Sequence, residues 1–93
     1  MPGSNKQSDG ADREARVEDA AAAAILALVE TRDAGATICP SEAARRTAGA
    51  DWRAAMPAVH RAAAALSAAG AVRLCQGGVT VAEPVGAYRI GRP

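Results

Sequence analysis

Apolar residues in the first third of the chain recur at helical spacing. Val17, Ala21, Ala24, Ile25 and Leu28 fall on one stripe, the pattern of a helix with a single buried face. The predicted helix begins near Asp12 and runs to about Arg32, where Asp33-Ala34-Gly35 ends it. Ahead of it, Met1 to about Ala11 is built from Gly, Ser, Asp, Lys and Gln without an apolar period. Such a segment buries too little apolar surface to offset its ordering entropy, so a disordered tail is expected over 1–14 and one folded domain over 15–93.

After this helix the pattern shortens. Thr37-Ile38 reads as a short strand leading into a second helix, Pro40 to Ala48. Cys39 takes the N-cap position, and Pro40 at N1 sacrifices no helical hydrogen bond. Glu42 at N3 is placed to reach back to the cap, as in a capping box, and Gly49 supplies the left-handed stop. Pro57 would clash with the carbonyl four residues back if it lay deep in a helix. The third helix is therefore expected to begin between Arg53 and Met56, with Gly70 closing it. Met56, Val59, Ala63 and Leu66 form its predicted buried face, and Ala58, Arg61, Ala62, Ala65 and Ala68 its outer one, with His60 at the border.

Beyond Gly70 the period becomes two. Val72 to Gln76 and Val79 to Val81 alternate around Gly77-Gly78, which fits a two-residue hairpin turn. In that register Leu74 faces Val81, and Cys75 lies opposite Thr80 on the face a wing exposes. A turn at Glu83-Pro84-Val85-Gly86 precedes a last short strand over Ala87 to Ile90. Helix, turn, helix and hairpin in this order predict a mainly α fold with a small antiparallel β wing, a winged helix-turn-helix. In such a sheet the third strand separates the first from the second, which keeps Cys39 and Cys75 apart.

Three segments carry a family resemblance: Thr37-Ile38-Cys39-Pro40-Ser41-Glu42, Trp52-Arg53 with Met56-Pro57-Ala58-Val59, and Gln76-Gly77-Gly78. Over Ile25 to Arg92 the sequence resembles a bacterial family known as domain of unknown function 3253. The resemblance implies a small winged-helix fold and no established activity, ligand or partner. The family hairpin is of the Thr-Gln-Lys-Gly type, whereas Cys75 and Gly77 stand here where its Thr and Lys would be. Glu83-Pro84 keeps a version of the acidic step that follows.

Composition narrows the function classes. Alanine supplies 26 of the 93 residues, Phe is absent, and Trp52 and Tyr88 are the only Trp and Tyr. Helices of this composition approach closely but fill a core poorly, which makes a homodimer or protein partner a natural way to bury more surface. Trp52 is the expected core plug, with Arg53 stacked on it or solvated. The apolar run Ala20 to Val29 is half of the ~20 residues a membrane span needs, and the lead-in is acidic where a signal peptide is basic. A cytoplasmic protein without membrane association is expected.

Charge is uneven. Residues 1–20 carry Lys6, Arg13 and Arg16 against Asp9, Asp12, Glu14, Glu18 and Asp19, a net −2. Residues 40–93 carry seven arginines against Glu42, Asp51 and Glu83, a net +4. The helix-turn-helix half is thus mildly basic, compatible with phosphate contacts. A reader of the major groove presents Arg, Lys, Asn or Gln to base edges. The third helix offers only Arg53, His60 and Arg61 among its alanines. The DNA-contact candidates are Arg45, Arg46, Arg53, Arg61 and Arg73, with Arg89 and Arg92 also suited to phosphate. The first reading is therefore a small protein that binds double-stranded DNA, or is associated with transcription, through arginine–phosphate contacts. The alternative is a protein-interaction module or homodimer that uses the alanine-rich helix faces and no nucleic acid.

No catalytic set assembles, so an enzyme is not expected, nor is a cofactor. Cys39, Cys75 and His60 lack the paired spacing of a metal site. A thiol at a helix N-terminus can be activated, but Cys39 is read first as a small buried cap with an unreactive thiol.

Overall fold

The computed structural model describes the backbone from residue 6 to residue 93 and side chains from residue 12 onward. Helix α1 (Lys6–Thr31) is followed by β1 (Thr37–Ile38), α2 (Pro40–Ala48), a single 3-10 turn over Gly49–Asp51, and α3 (Trp52–Ala68). Strands β2 (Arg73–Gln76), β3 (Val79–Thr80) and β4 (Arg89–Gly91) complete the domain. Three helices pack on one another, α1 lying against both α2 and α3. One antiparallel four-stranded sheet flanks them. This is a mainly helical fold with a small β wing, the arrangement of a winged helix.

Helix α1 starts at Lys6, six residues before the expected Asp12, so its first turns run through part of the segment expected as a tail. The remainder of the expected tail, residues 1–5, lies outside the described residues. Ala21, Ala24 and Ile25 of the predicted stripe are buried; Val17 and Leu28 are half-buried, and Val29 completes the face instead. No basic residue occupies the last turn of α1. Its terminal carbonyls are met from the far end of the chain: Arg92 donates to the carbonyls of Val29, Glu30 and Arg32 at 3.4, 2.9 and 2.8 Å. A guanidinium placed there satisfies orphan acceptors and opposes the negative end of the helix dipole.

Cys39 is the N-cap of α2, with extended backbone at φ −87° and ψ 142°, and Pro40 follows at the first helical position. The expected capping box does not form. The Glu42 carboxylate turns to Arg32, with Nη2 to Oε2 at 2.9 Å, and so ties the start of α2 to the end of α1. Gly49 ends α2 at φ 58° and ψ −121°, a positive-φ conformation that glycine adopts readily but not the left-handed helical one expected, and its N–H returns to the Arg45 carbonyl.

Helix α3 begins at Trp52, one residue ahead of the expected window. Pro57 therefore sits inside it, but within its first two turns, where the missing N–H removes a single bond. The helix closes as a Schellman motif: Gly70 at φ 79° donates to Ser67, and Ala71 donates to Leu66. Its buried face is rotated from the predicted one. Ala55, Ala58, Val59, Ala62 and Ala63 are buried, while Met56 and Leu66 are only half-buried against the core. Ala58 and Ala62, expected outside, are thus inside, because a face of small side chains admits the close approach of α1.

The hairpin register is the predicted one, Cys75 opposite Thr80 and Gln76 opposite Val79, and the Val81 N–H reaches the Leu74 carbonyl at 2.8 Å. The strand order differs from expectation. It runs β1-β4-β2-β3, so β4 rather than β3 lies between β1 and β2. Ile90 of β4 pairs with both Ile38 and Leu74. These three, with Ile25 and Val59, are the largest fully buried side chains and form the centre of the core.

Candidate nucleic-acid interface

Five arginines were expected to meet phosphate, and the fold brings only some of them together. Arg45 lies in the last turn of α2 and Arg53 in the first turn of α3, on either side of the Gly49–Asp51 turn. That turn returns both side chains to the Trp52 ring. The guanidinium carbons of Arg45 and Arg53 lie 4.5 and 4.4 Å from the ring centroid. Stacking of this kind orients a planar cation and leaves the N–H groups at its edge free to donate. Trp52 itself is half-buried at the rim of the core. It is not the central plug expected from the absence of Phe, since the branched aliphatics of the sheet and helices fill that place.

Arg46 is exposed on α2, beside Thr47 and the alanines Ala20, Ala23, Ala24 and Ala27 of α1. Among the described residues Arg45, Arg46 and Arg53 form no ion pair. Arg61 does: its Nε lies 2.9 Å from Glu18 Oε1, which fastens α3 to α1. The acidic N-terminal part of α1 thereby flanks the exposed side of α3, with Arg13, Glu14 and Val17 near Ala54, Pro57 and Arg61. Arg73 is drawn into the sheet, where its Nε donates to the Arg92 carbonyl and its Nη1 to Cys75 Sγ, each at 2.9 Å.

On its other side α3 borders an open cleft of about 720 Å³, between Met56, His60 and Ala64 and the segment from Ala82 to Tyr88. His60 Nδ1 and Tyr88 Oη are 2.7 Å apart across this cleft. Burial raises the Tyr88 pKa above the ordinary tyrosine value. The segment is strapped to β2 by Gln76, whose Nε2 donates to the carbonyls of Val85 and Ala87 at 2.6 and 2.8 Å. Neither Gln76 nor the His60–Tyr88 pair was singled out from the sequence as structural. The one available signal was Gln76 standing directly before Gly77-Gly78, an amide placed where the chain turns back.

The thiols also exchange roles. Cys75 is buried, 6% exposed, beneath the Arg73 guanidinium, although its strand face was expected to be open. Cys39 is half-buried, makes no cap hydrogen bond and receives only the Ser41 hydroxyl on its sulfur at 3.5 Å. Among the described residues no helix is long and apolar enough to cross a membrane. Comparison with curated proteins finds no match. Residues 18–93 match the family described as Protein of unknown function (DUF3253), and the chain belongs to that family.

Proposed function

We propose that this domain binds double-stranded DNA in the cytoplasm through arginine–phosphate contacts at the corner between α2 and α3. The carrying observation is that Arg45 and Arg53 meet on one tryptophan ring and have no carboxylate partner among the described residues. Arg46 stands exposed next to Arg45 in the last turn of α2. Arg61 and Arg73 are engaged elsewhere, so the reading rests on three cations. It describes a binding module, transcription-associated rather than catalytic. Base reading is a minor part of it, since α3 presents mainly alanine, proline and His60 to solvent.

Titration of mixed-sequence duplex DNA across a range of salt concentrations tests this. Three phosphate contacts give a log–log salt slope of about −3 and little preference among sequences. Arg53→Ala or Arg45→Ala lowers that slope by about 1, and Arg61→Ala leaves it nearly unchanged. Absence of binding at low salt defeats the reading.

A second reading is favoured by the exposed strip Ala64, Ala65 and Ala68 of α3 and by Val85, which is 89% exposed beside the apolar cleft. On that reading the face is covered by a protein partner or a second copy of the chain. A dimeric mass in solution with no DNA binding would favour it.

A further inference from the structure

Alternation along the strands sends Leu74, Ile90 and Ile38 into the helical core and sends Thr37, Arg73, Cys75 and Arg89 to the opposite, outer face of the sheet. There Arg73 and Arg89 flank a cavity of about 240 Å³ whose wall includes Thr37, Cys75 and the hairpin glycines Gly77 and Gly78. Each guanidinium is held at two points. Arg73 donates to the Arg92 carbonyl and to Cys75 Sγ. Arg89 donates through Nε to Thr37 Oγ1 at 2.6 Å and through Nη2 to the Thr37 carbonyl at 3.0 Å. Three of these partners are neutral oxygens, and the fourth is the Cys75 sulfur. Among the described residues neither arginine has an acidic partner, and no carboxylate lines the cavity.

Two positive charges on the wall of one cavity repel unless an anion lies between them, and fixing both side chains in advance removes most of the ordering cost of binding one. A Cβ at Gly91 would lie 3.2 Å from Thr37 Cγ2, close enough to press on the side chain that holds Arg89, and in ordinary contact with Arg73 Nη2 at 3.6 Å. Arg73 Nη2 and Arg89 Nη1 are left without a protein hydrogen-bond partner among the described residues. Guanidinium N–H groups on the wall of one cavity suit the oxygens of a tetrahedral oxyanion.

We infer that the outer face of the sheet holds a phosphate-group site between Arg73 and Arg89, with Cys75 in its wall. It lies on the side of the sheet turned away from α3 and does not rest on the DNA reading. The cavity has room for a phosphate group and a few further atoms. Such a group comes either from free phosphate and small phosphorylated molecules or from a nucleic-acid backbone.

The test follows backbone amide shifts of the full chain during titration with sodium phosphate against sodium chloride at matched ionic strength. A parallel titration uses duplex DNA. Saturating shifts confined to Thr37, Arg73 to Gly78 and Arg89 with phosphate establish the site for free phosphate. The same shifts with DNA alone assign the phosphate to a nucleic-acid backbone. Arg89→Gln weakens binding by about tenfold or more, as loss of a charge-assisted hydrogen bond requires, while its remaining spectrum reports that the fold is intact. Alkylation of Cys75, followed independently, slows in the presence of the bound group, and that of Cys39 does not. Shifts equal to those given by chloride, or unaltered binding in both Arg89→Gln and Arg73→Gln, overturn the inference. These outcomes leave the Arg45 and Arg53 test untouched.

Discussion

His60 Nδ1 lies 2.7 Å from Tyr88 Oη, and this one contact joins the exposed side of α3 to the segment leading into β4. The phenol O–H donates to Nδ1 in the tautomer that carries its proton on Nε2, and in the other tautomer Nδ1–H donates to the phenol oxygen. Ionisation of the phenol removes its O–H and leaves a charge that burial disfavours. Because burial raises the Tyr88 pKa, the folded chain holds that proton more tightly than the unfolded chain does. The associated stability is fully present below the ordinary tyrosine pKa of about 10 and is lost as pH climbs through the raised folded value. Urea denaturation at rising alkaline pH should therefore show a falling unfolding free energy, and Tyr88→Phe should flatten that fall. At neutral pH the same substitution should cost about 1 kcal/mol, the usual net value of one hydrogen bond. An identical alkaline slope in the two proteins would contradict the assignment.

Trp52 is a rim residue, and the centre of the core belongs to Ile25, Ile38 and Ile90. Trp52→Ala is expected to destabilise by about 2 kcal/mol, below the ~3–5 kcal/mol of a fully buried aromatic. Ile38→Ala should cost more, about 3–4 kcal/mol, since it empties the junction of β1 with β4. Chemical denaturation of both variants ranks them, and a larger loss from Trp52→Ala would return the ring to the core.

The pair of Arg32 and Glu42 crosses from α1 to α2 with both side chains more than a third exposed. Screening limits such a pair to about 0.2–1 kcal/mol. A double-mutant cycle with Arg32→Ala and Glu42→Ala should return a coupling in that range and shrink at high salt. If Glu42 acted instead as a cap, its substitution would cost the same whether or not Arg32 were present.

Thiol labelling separates the cysteines. Cys39 is half-buried and Cys75 lies beneath a guanidinium at 6% exposure, so a neutral alkylating reagent should modify Cys39 first. Arg73→Ala should accelerate Cys75 and leave Cys39 unchanged. Peptide mass mapping after timed alkylation reads both rates, and equal rates for the two cysteines would argue against the Arg73 cover.

Local chemistry made much of this fold legible. Cys39-Pro40 and Gly49 delimit α2, Gly70 ends α3, and Gly77-Gly78 sets the hairpin register, because each depends on a backbone conformation that few residues adopt. What stayed hidden depended on partners distant in sequence. Alanine serves equally on a buried or an exposed face, so the rotation of α3 that buries Ala58 and Ala62 left no mark in the periodicity. Glu42 had two competing uses, and the nearness of Arg32 across the α1–α2 connection decided between them. The arginines were visible as cations, but their sorting was not. Stacking for Arg45 and Arg53, pairing for Arg61 and anchoring for Arg73 and Arg92 each require a neighbour supplied by the tertiary structure.

The position of β4 bears on how the chain folds as it is synthesised. Strands β1 and β2 touch only through β4, which follows both of them in the sequence, and Arg89 reaches back across 52 residues to Thr37. Until those residues emerge from a ribosome, Ile38 and Leu74 lack their shared neighbour Ile90, and α1 lacks the guanidinium that closes its carbonyl end. Closing contacts of such long sequence separation costs entropy before any of them stabilises the chain. The β2–β3 hairpin forms locally, but β1 joins the sheet only after β4 is made. A nascent chain stopped before Arg89 would hold packed helices beside two unpaired strand edges, a state open to capture by chaperones or by another copy of itself.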